Sequence, residues 1–133
     1  MSSKPIRVAS LGLGWWSDVL ADGVVKANGI EVVSCFTRSE DKRKAFADKY
    51  SCDYANSYEE LLADDSIDAI INTTPNNIHL ETTRQAAEAG KHVFLDKPIA
   101  NSVGEGMEIA KICRDAKVKL SIGFQRRREN QFR

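Results

Sequence analysis

No charge of either sign prevails in this chain: Lys plus Arg and Asp plus Glu number 19 each, for a formal net charge of +0. That balance argues against nucleic acid or an anionic lipid surface as partner, since both call for a basic footprint. The one basic run, Arg126-Arg127-Arg128, is local and terminal, either a solvated segment or a small anion site. Cysteine is scarce and odd in number. Cys35, Cys52 and Cys113 share no metal-ligand spacing, so they read as reduced core thiols of a cytosolic protein rather than a disulfide frame. Long apolar runs are missing as well. None approaches the roughly 20 residues needed to cross a bilayer, and Met1-Ser2-Ser3-Lys4-Pro5 lacks the apolar stretch of a signal peptide. The expectation is a cytoplasmic chain with no membrane contact. Internal repeats and low-complexity tracts are absent too.

What is present alternates. Short β-rich runs occur at 6–11, 30–37, 68–73, 91–95 and 118–123, with a weaker one near 53–55. Helical patterns fall between them at 16–28, 40–50, 58–63, 78–89 and 103–116. Ser57 with Glu60, and Ser102 with Glu105, have capping-box spacing, and Gly90 suits the left-handed residue that closes a helix. Runs such as Ala69-Ile70-Ile71 are apolar on both faces, as strands are when helices cover both sides of a parallel sheet. The expected fold is therefore an α/β, doubly wound parallel sheet of about six strands in the order 3-2-1-4-5-6. Its 133 residues suit one domain, with residues 1–123 as a dinucleotide-binding unit and 124–133 as a charged tail. Two helix ends look costly: Ser51 and Lys117 stand where glycine is common, and a left-handed residue there costs roughly 1 kcal/mol or more.

Ligands in such a sheet bind beyond the carboxyl ends of the strands. Gly12-Leu13-Gly14-Trp15-Trp16-Ser17 lies at the end of the first β run and opens a helix. Gly12 permits the sharp turn, Gly14 lets the backbone approach a diphosphate, and the helix amides face the anion. Ser17 takes the place of the third glycine of that pattern. Taken alone, the segment also fits an ordinary turn. Trp15 and Trp16 are placed to cover a cofactor edge, or one of them belongs to the core.

The end of the second β run selects the nucleotide. An acid there would hold the ribose hydroxyls of NAD and repel a 2′-phosphate. Instead the chain has Thr37-Arg38-Ser39, and no carboxylate before Glu40. Hydroxyl, guanidinium and hydroxyl can hold a 2′-phosphate by charge-assisted hydrogen bonds, with Lys42 and Arg43 adding charge. NADP is thus expected over NAD. The alternatives are that Arg38 stacks on adenine and that Ser39 only caps the next helix.

After the 68–73 run come Thr73, Thr74, Pro75, Asn76, Asn77 and His79. Asn76 or Asn77 can cap the helix. His79 falls in its first turn, where the dipole disfavours protonation, and is either a neutral neighbour of the cofactor or an inconsequential surface residue. After the 91–95 run comes Asp96-Lys97-Pro98, a simple turn or a general acid–base lysine.

Together, Gly12-Leu13-Gly14, Thr74-Pro75-Asn76-Asn77-Ile78-His79, Gly90-Lys91-His92-Val93 and Asp96-Lys97-Pro98 resemble the N-terminal domain of the glucose–fructose oxidoreductase / inositol dehydrogenase family. Asp96 stands where that family usually has Glu. The resemblance implies NAD(P)-dependent hydride transfer on a sugar, polyol or cyclic alcohol, with Lys97 as catalytic lysine. It implies a cofactor lined by Thr73, Thr74, Pro75, Asn76, His79, Asp96 and Lys97, beside Pro98 and Leu13, with Gln125 near the nicotinamide. It also implies a second domain, which would supply the substrate pocket, beyond Arg133. Without that domain little turnover is expected, and bared apolar surface near the carboxyl end of the sheet should favour self-association. A non-catalytic, stand-alone nucleotide-binding module is the competing expectation. A methyltransferase is the third, opposed by the missing acid near Thr37.

Overall fold

A computed structural model of the chain describes residues 4–124. Five strands, β1 (Ile6–Leu11), β2 (Ile30–Phe36), β3 (Ala69–Asn72), β4 (His92–Leu95) and β5 (Leu120–Ile122), form one sheet. All pairings are parallel, in the order β2-β1-β3-β4-β5. The helices α1 (Trp15–Lys26), α2 (Glu40–Tyr50), α3 (Tyr58–Ala63), α4 (His79–Glu88) and α5 (Val103–Asp115) connect them, with a 3-10 turn (Asn76–Ile78) leading into α4.

The doubly wound parallel sheet is as expected, with five strands rather than six. The 53–55 run lies alongside β2 without becoming a strand. Asp53 N donates to Val33 O at 3.1 Å and Ala55 N to Cys35 O at 2.9 Å, too little to build a ladder before the α3 cap at Ser57 intervenes. Dropping that strand from the expected order leaves the one observed.

Local chemistry explains the boundaries. Ser39, Ser57 and Ser102 each accept the backbone N–H three residues on, at 3.3, 3.0 and 3.2 Å. Gly90 is left-handed at φ 76°, as expected. The two suspect helix ends are left-handed also: Ser51 has φ 53° and Lys117 φ 60°, so the anticipated strain is present.

Leu61, Ile70, Leu95 and Ile109 are fully buried and centre the core between the sheet and the helices α3, α4 and α5. The opposite face is not wholly covered. Ile6, Val8, Ala69, Ile71, Phe94 and Leu120 line an apolar concavity of about 640 Å³ there. Strand β4 accordingly alternates, with Val93 and Leu95 buried and His92 and Phe94 only partly so. Helices were expected on both faces because an apolar run such as Ala69-Ile70-Ile71 cannot reveal which side goes uncovered. Apolar surface is exposed on that uncovered face and also at Trp15, Ile78 and Phe124 toward the carboxyl ends of the strands and at Val103 and Met107 on α5.

The register positions the site. Leu11 pairs with Phe36 on one side and Asn72 on the other, Asn72 with Leu95, and Leu95 with Ile122. All five strands therefore end at one edge. Gly12, Thr37, Thr73, Asp96 and Gly123 each follow the last residue of a strand along it.

Candidate dinucleotide and catalytic site

The Gly12 turn occupies the point where the strand order reverses, between β1 and β3. Gly12 has φ 83°, a left-handed value, and a Cβ there would meet Thr73 C at 3.0 Å and Thr74 N at 3.1 Å. Two separate constraints thus demand glycine. The turn is bolted down on both sides: Gly12 N donates to Phe36 O at 3.0 Å, and Thr73 Oγ1 donates to Gly12 O at 2.8 Å.

Gly14 is different. Its φ of −96° suits any residue, and a Cβ would find nothing within 4 Å. Among the described residues no steric contact calls for glycine here, and only the modest N-cap preference for it remains. The helix it opens has no side-chain cap, so the first amides of α1 are left to solvent or a ligand. Asp18, an acid in that first turn, faces Lys49 Nζ at 3.8 Å and Tyr50 OH at 3.4 Å. Ser17 is buried and donates to Gly14 O at 2.7 Å, so its small side chain serves the close packing expected of it. Trp15 is 76% exposed beside the turn, its ring centroid 5.6 Å from that of the half-buried Trp16. Leu13 packs toward Cys35 and Phe46.

Beyond β2, Thr37 is half-buried while Arg38 and Ser39 are exposed. Ser39 does cap α2 through its oxygen, and its hydroxyl proton has no acceptor among the described residues. Glu40, the nearest carboxylate, pairs with Lys44 at 3.0 Å. The hydrogen bond and charge of Lys44 hold that carboxyl below its usual range. Arg43 does not reach outward as a surface charge would. It is 9% exposed, its guanidinium lies 5.5 Å from the Phe36 ring centroid and 5.9 Å from that of Tyr54, and Nη1 donates to Thr37 O at 3.0 Å. It braces the loop from behind and places an unpaired cation beneath it, with Nε lacking a partner among the described residues.

After β3 the sequence reading passed over Asn72. Its side chain is 1% exposed and organises the turn: Oδ1 accepts from Thr74 N at 3.0 Å and Thr74 Oγ1 at 2.6 Å, and Nδ2 donates to Thr82 Oγ1 at 2.8 Å. A polar residue closing an apolar strand was the available signal. Pro75, Asn76 and Asn77 are exposed. Neither asparagine caps a helix, because the 3-10 turn shifts the cap positions to Pro75 and Ile78, which make no side-chain cap bond.

His79 is neither a surface residue nor open to a ligand: its exposure is 0%. Nε2 lies 2.8 Å from Thr74 O, and Nδ1 lies 3.1 Å from Pro98 O and 3.4 Å from Ile99 O. Any influence on a cofactor passes through those two turns. The expectation of a ring lining the cofactor is corrected to one lying beneath the site, because the 3-10 turn rotates it inward.

On the turn after β4, Asp96 is half-buried, while Lys97 and Pro98 are exposed. Asp96 Oδ1 accepts from the Lys97 backbone N–H at 2.9 Å, so it fixes the turn and makes no ion pair with the ammonium among the described residues. Gly123 ends the edge, with Phe94 3.3 Å from where a Cβ would stand. Gln125 and Arg126–Arg128 lie outside the described residues.

One edge of a parallel sheet thus gathers a glycine turn at the reversal point, an uncapped helix start, a hydroxyl–guanidinium loop and an exposed lysine. Such an assembly defines the class of Rossmann-like dinucleotide-binding domains. Comparison with known proteins makes the assignment particular. The model of the oxidoreductase family with NAD-binding Rossmann fold, the Gfo/Idh/MocA family, matches residues 6–124. The chain belongs to that family, as its NAD(P)-binding oxidoreductase domain. D-xylose 1-dehydrogenase (NADP(+)) 2 of Haloferax volcanii is 38% identical over 104 residues, covering 77% of this chain and 32% of that protein. An oxidoreductase structure from Desulfitobacterium hafniense matches with a TM-score of 0.95 at 35% identity, over 98% of this chain and 38% of its own. The WlbA dehydrogenase of Chromobacterium violaceum, solved with NADH and UDP-GlcNAcA, matches with a TM-score of 0.93 at 27% identity, over 99% and 39% of the two chains. The chain therefore spans well under half the length of the relatives it matches.

Proposed function

We propose that this chain is the NADP(H)-binding domain of an enzyme that moves a hydride to or from the hydroxyl-bearing carbon of a sugar, polyol or cyclic alcohol. The observation that carries the proposal is Gly14. It is a glycine with an ordinary φ and empty space where its side chain would be, set over uncapped amides, so no contact with another described residue demands it and only a modest N-cap preference does. A diphosphate laid on those amides accounts for it. Residues 1–123 form the nucleotide unit and 124–133 lead on toward a substrate domain of the kind the relatives' greater length accommodates. Reduced thiols at Cys35, Cys52 and Cys113 fit a cytoplasmic setting. Among the described residues no helix is long and apolar enough to cross a membrane.

NADP is the preferred nucleotide in this reading. Thr37, Arg38 and Ser39 offer the adenosine ribose two hydroxyls and a guanidinium but no carboxylate, Arg43 lends positive field from beneath, and Glu40 is committed to Lys44. Relatives of both cofactor types match the chain, so the point is one for measurement. Calorimetric titration should show NADPH binding at least about tenfold more tightly than NADH, with Arg38→Ala removing most of the difference. Equal affinities, or a preference for NADH, would refute the assignment.

When bound, the nicotinamide supplies the hydride acceptor or donor. Thr73, Thr74, Pro75 and Asn76 wall its side of the edge, with Asp96 and Pro98 shaping the opposite turn. Lys97 donates a hydrogen bond to the reacting oxygen and passes or receives its proton. The 133-residue chain alone binds nucleotide with little turnover, because none of the described residues is placed to hold the alcohol in attack geometry or keep water away.

The uncovered apolar face favours a second reading, in which the chain acts as a stand-alone nucleotide-binding module that pairs through that face. Sedimentation distinguishes the two, since a monomer at every concentration is incompatible with pairing.

A further inference from the structure

We propose that His79 is a positioning residue that sets Lys97 relative to the cofactor turn. The inference rests on the reading of Lys97 as the residue at the reacting oxygen. Neither turn is held to the other by the sheet. Strand β3 stops at Asn72 and β4 at Leu95, and beyond them the ladder contributes one further bond, from Asp96 N to Asn72 O at 2.9 Å. From there the chains diverge, one through Thr73–Pro75 into the 3-10 turn and the other through Lys97–Ala100 toward α5. The imidazole fills the gap between them. Nε2 is 2.8 Å from Thr74 O and Nδ1 is 3.1 Å from Pro98 O, the residue after Lys97.

The ring is itself fixed. His79 opens α4, and Thr82 Oγ1 donates to the carbonyl just before it, Ile78 O at 2.7 Å, with His79 O farther off at 3.3 Å. The same hydroxyl accepts from Asn72, whose carboxamide oxygen holds Thr74. Tyr58 OH donates to Thr82 O at 2.7 Å and ties the cluster to α3. A polar network of this kind, sealed from water, has few alternative arrangements, so its rigidity passes to whatever it touches. Here it touches the backbone on both sides of the proposed reaction centre. Each ring nitrogen faces a carbonyl oxygen, one on either turn, so the nitrogen that carries the proton donates to one turn while the ring packs against the other.

The test is a double-mutant cycle on NADPH affinity, read by quenching of the exposed Trp15. Lys97→Ala should weaken NADPH about fivefold or more in the wild-type chain, by loss of a charged hydrogen-bond donor. In a His79→Gln background, which keeps an N–H donor of similar reach, the same change should cost less than about twofold. Thermal unfolding checks that the variant remains folded. A chain that binds no NADPH in any form sinks the nucleotide reading and this inference with it. Equal effects of Lys97→Ala in both backgrounds leave the nucleotide reading standing and overturn the positioning role.

Should His79→Gln fail to fold, the wild-type chain answers the question by NMR of its labelled imidazoles. NADPH should shift the buried His79 signals, and Lys97→Ala should alter that shift, while His92 on the far end of β4 stays constant. His79 signals that ignore NADPH, or that respond identically without the lysine, would overturn the inference.

Discussion

Glycines 12 and 14 stand two residues apart and should respond to the same substitution in opposite ways. Gly12→Ala forces a side chain into a left-handed residue at φ 83°, worth roughly 1–2 kcal/mol. It also drives Cβ to 3.0 Å from the Thr73 carbonyl carbon, a backbone atom tied to Leu11 and unable to yield cheaply. Overpacking of that kind adds about 1–3 kcal/mol, for a total of about 2–5 kcal/mol. Gly14→Ala meets neither obstacle. At a helix N-cap with no side-chain bond, alanine in place of glycine should cost under about 1 kcal/mol. Its methyl nevertheless stands where the diphosphate must approach. Losing even one amide bond to an anionic oxygen removes about 1.5–3 kcal/mol of binding, a tenfold to hundredfold loss of NADPH affinity. Urea unfolding followed by tryptophan fluorescence, paired with calorimetric titration, measures both quantities on each variant. If Gly14→Ala lowers stability as much as Gly12→Ala, or leaves NADPH binding intact, the distinction between a fold-required and a ligand-required glycine is wrong.

Other consequences are equally open to measurement. Ser51→Gly and Lys117→Gly, by relieving left-handed residues, should each stabilise the chain by about 0.5–1 kcal/mol, visible as a rise in Tm; a fall for either would contradict the strain argument. Asn72→Ala strips Thr74 and Thr82 of buried partners and should lose about 2–4 kcal/mol in urea unfolding while also weakening NADPH. Burial, with the Glu59 charge added, raises the Tyr58 phenol above its ordinary 10.0. The folded chain therefore holds a proton that the unfolded chain releases, so this stability is complete below pH 10 and declines as pH rises beyond it. The urea midpoint should fall between pH 8 and about 10.5, and fall less in Tyr58→Phe; an identical decline in both would locate the effect in other groups, such as Tyr50.

Much of this protein follows from local chemistry. The spacing of apolar residues, the serines at 39, 57 and 102, and the glycines at 12 and 90 act within a few residues, where side chain and backbone meet regardless of the rest of the fold. For that reason α2 and α3 begin and end where their sequences indicate, and the cost anticipated at Ser51 and Lys117 is found in their φ values. The glycine turn and the Asp96-Lys97-Pro98 turn were legible for the same reason: strand ends lie at the ligand edge of any such sheet. Direction of burial is another matter. Arg43 and His79 carry ordinary surface chemistry in the sequence, yet one is stacked behind Thr37 and the other sealed between Thr74 and Pro98. Asn72 holds Thr74 locally, but its tie to α4 through Thr82 was set by the tertiary fold. The missing sixth strand and the uncovered face beside Phe94 were likewise settled by packing. Sequence alone determined the strand, turn and helix segments apart from the 53–55 run, because those choices rest on neighbours along the chain. Tertiary structure decided which polar groups face one another, because that depends on strand register, which brings together residues far apart in the chain.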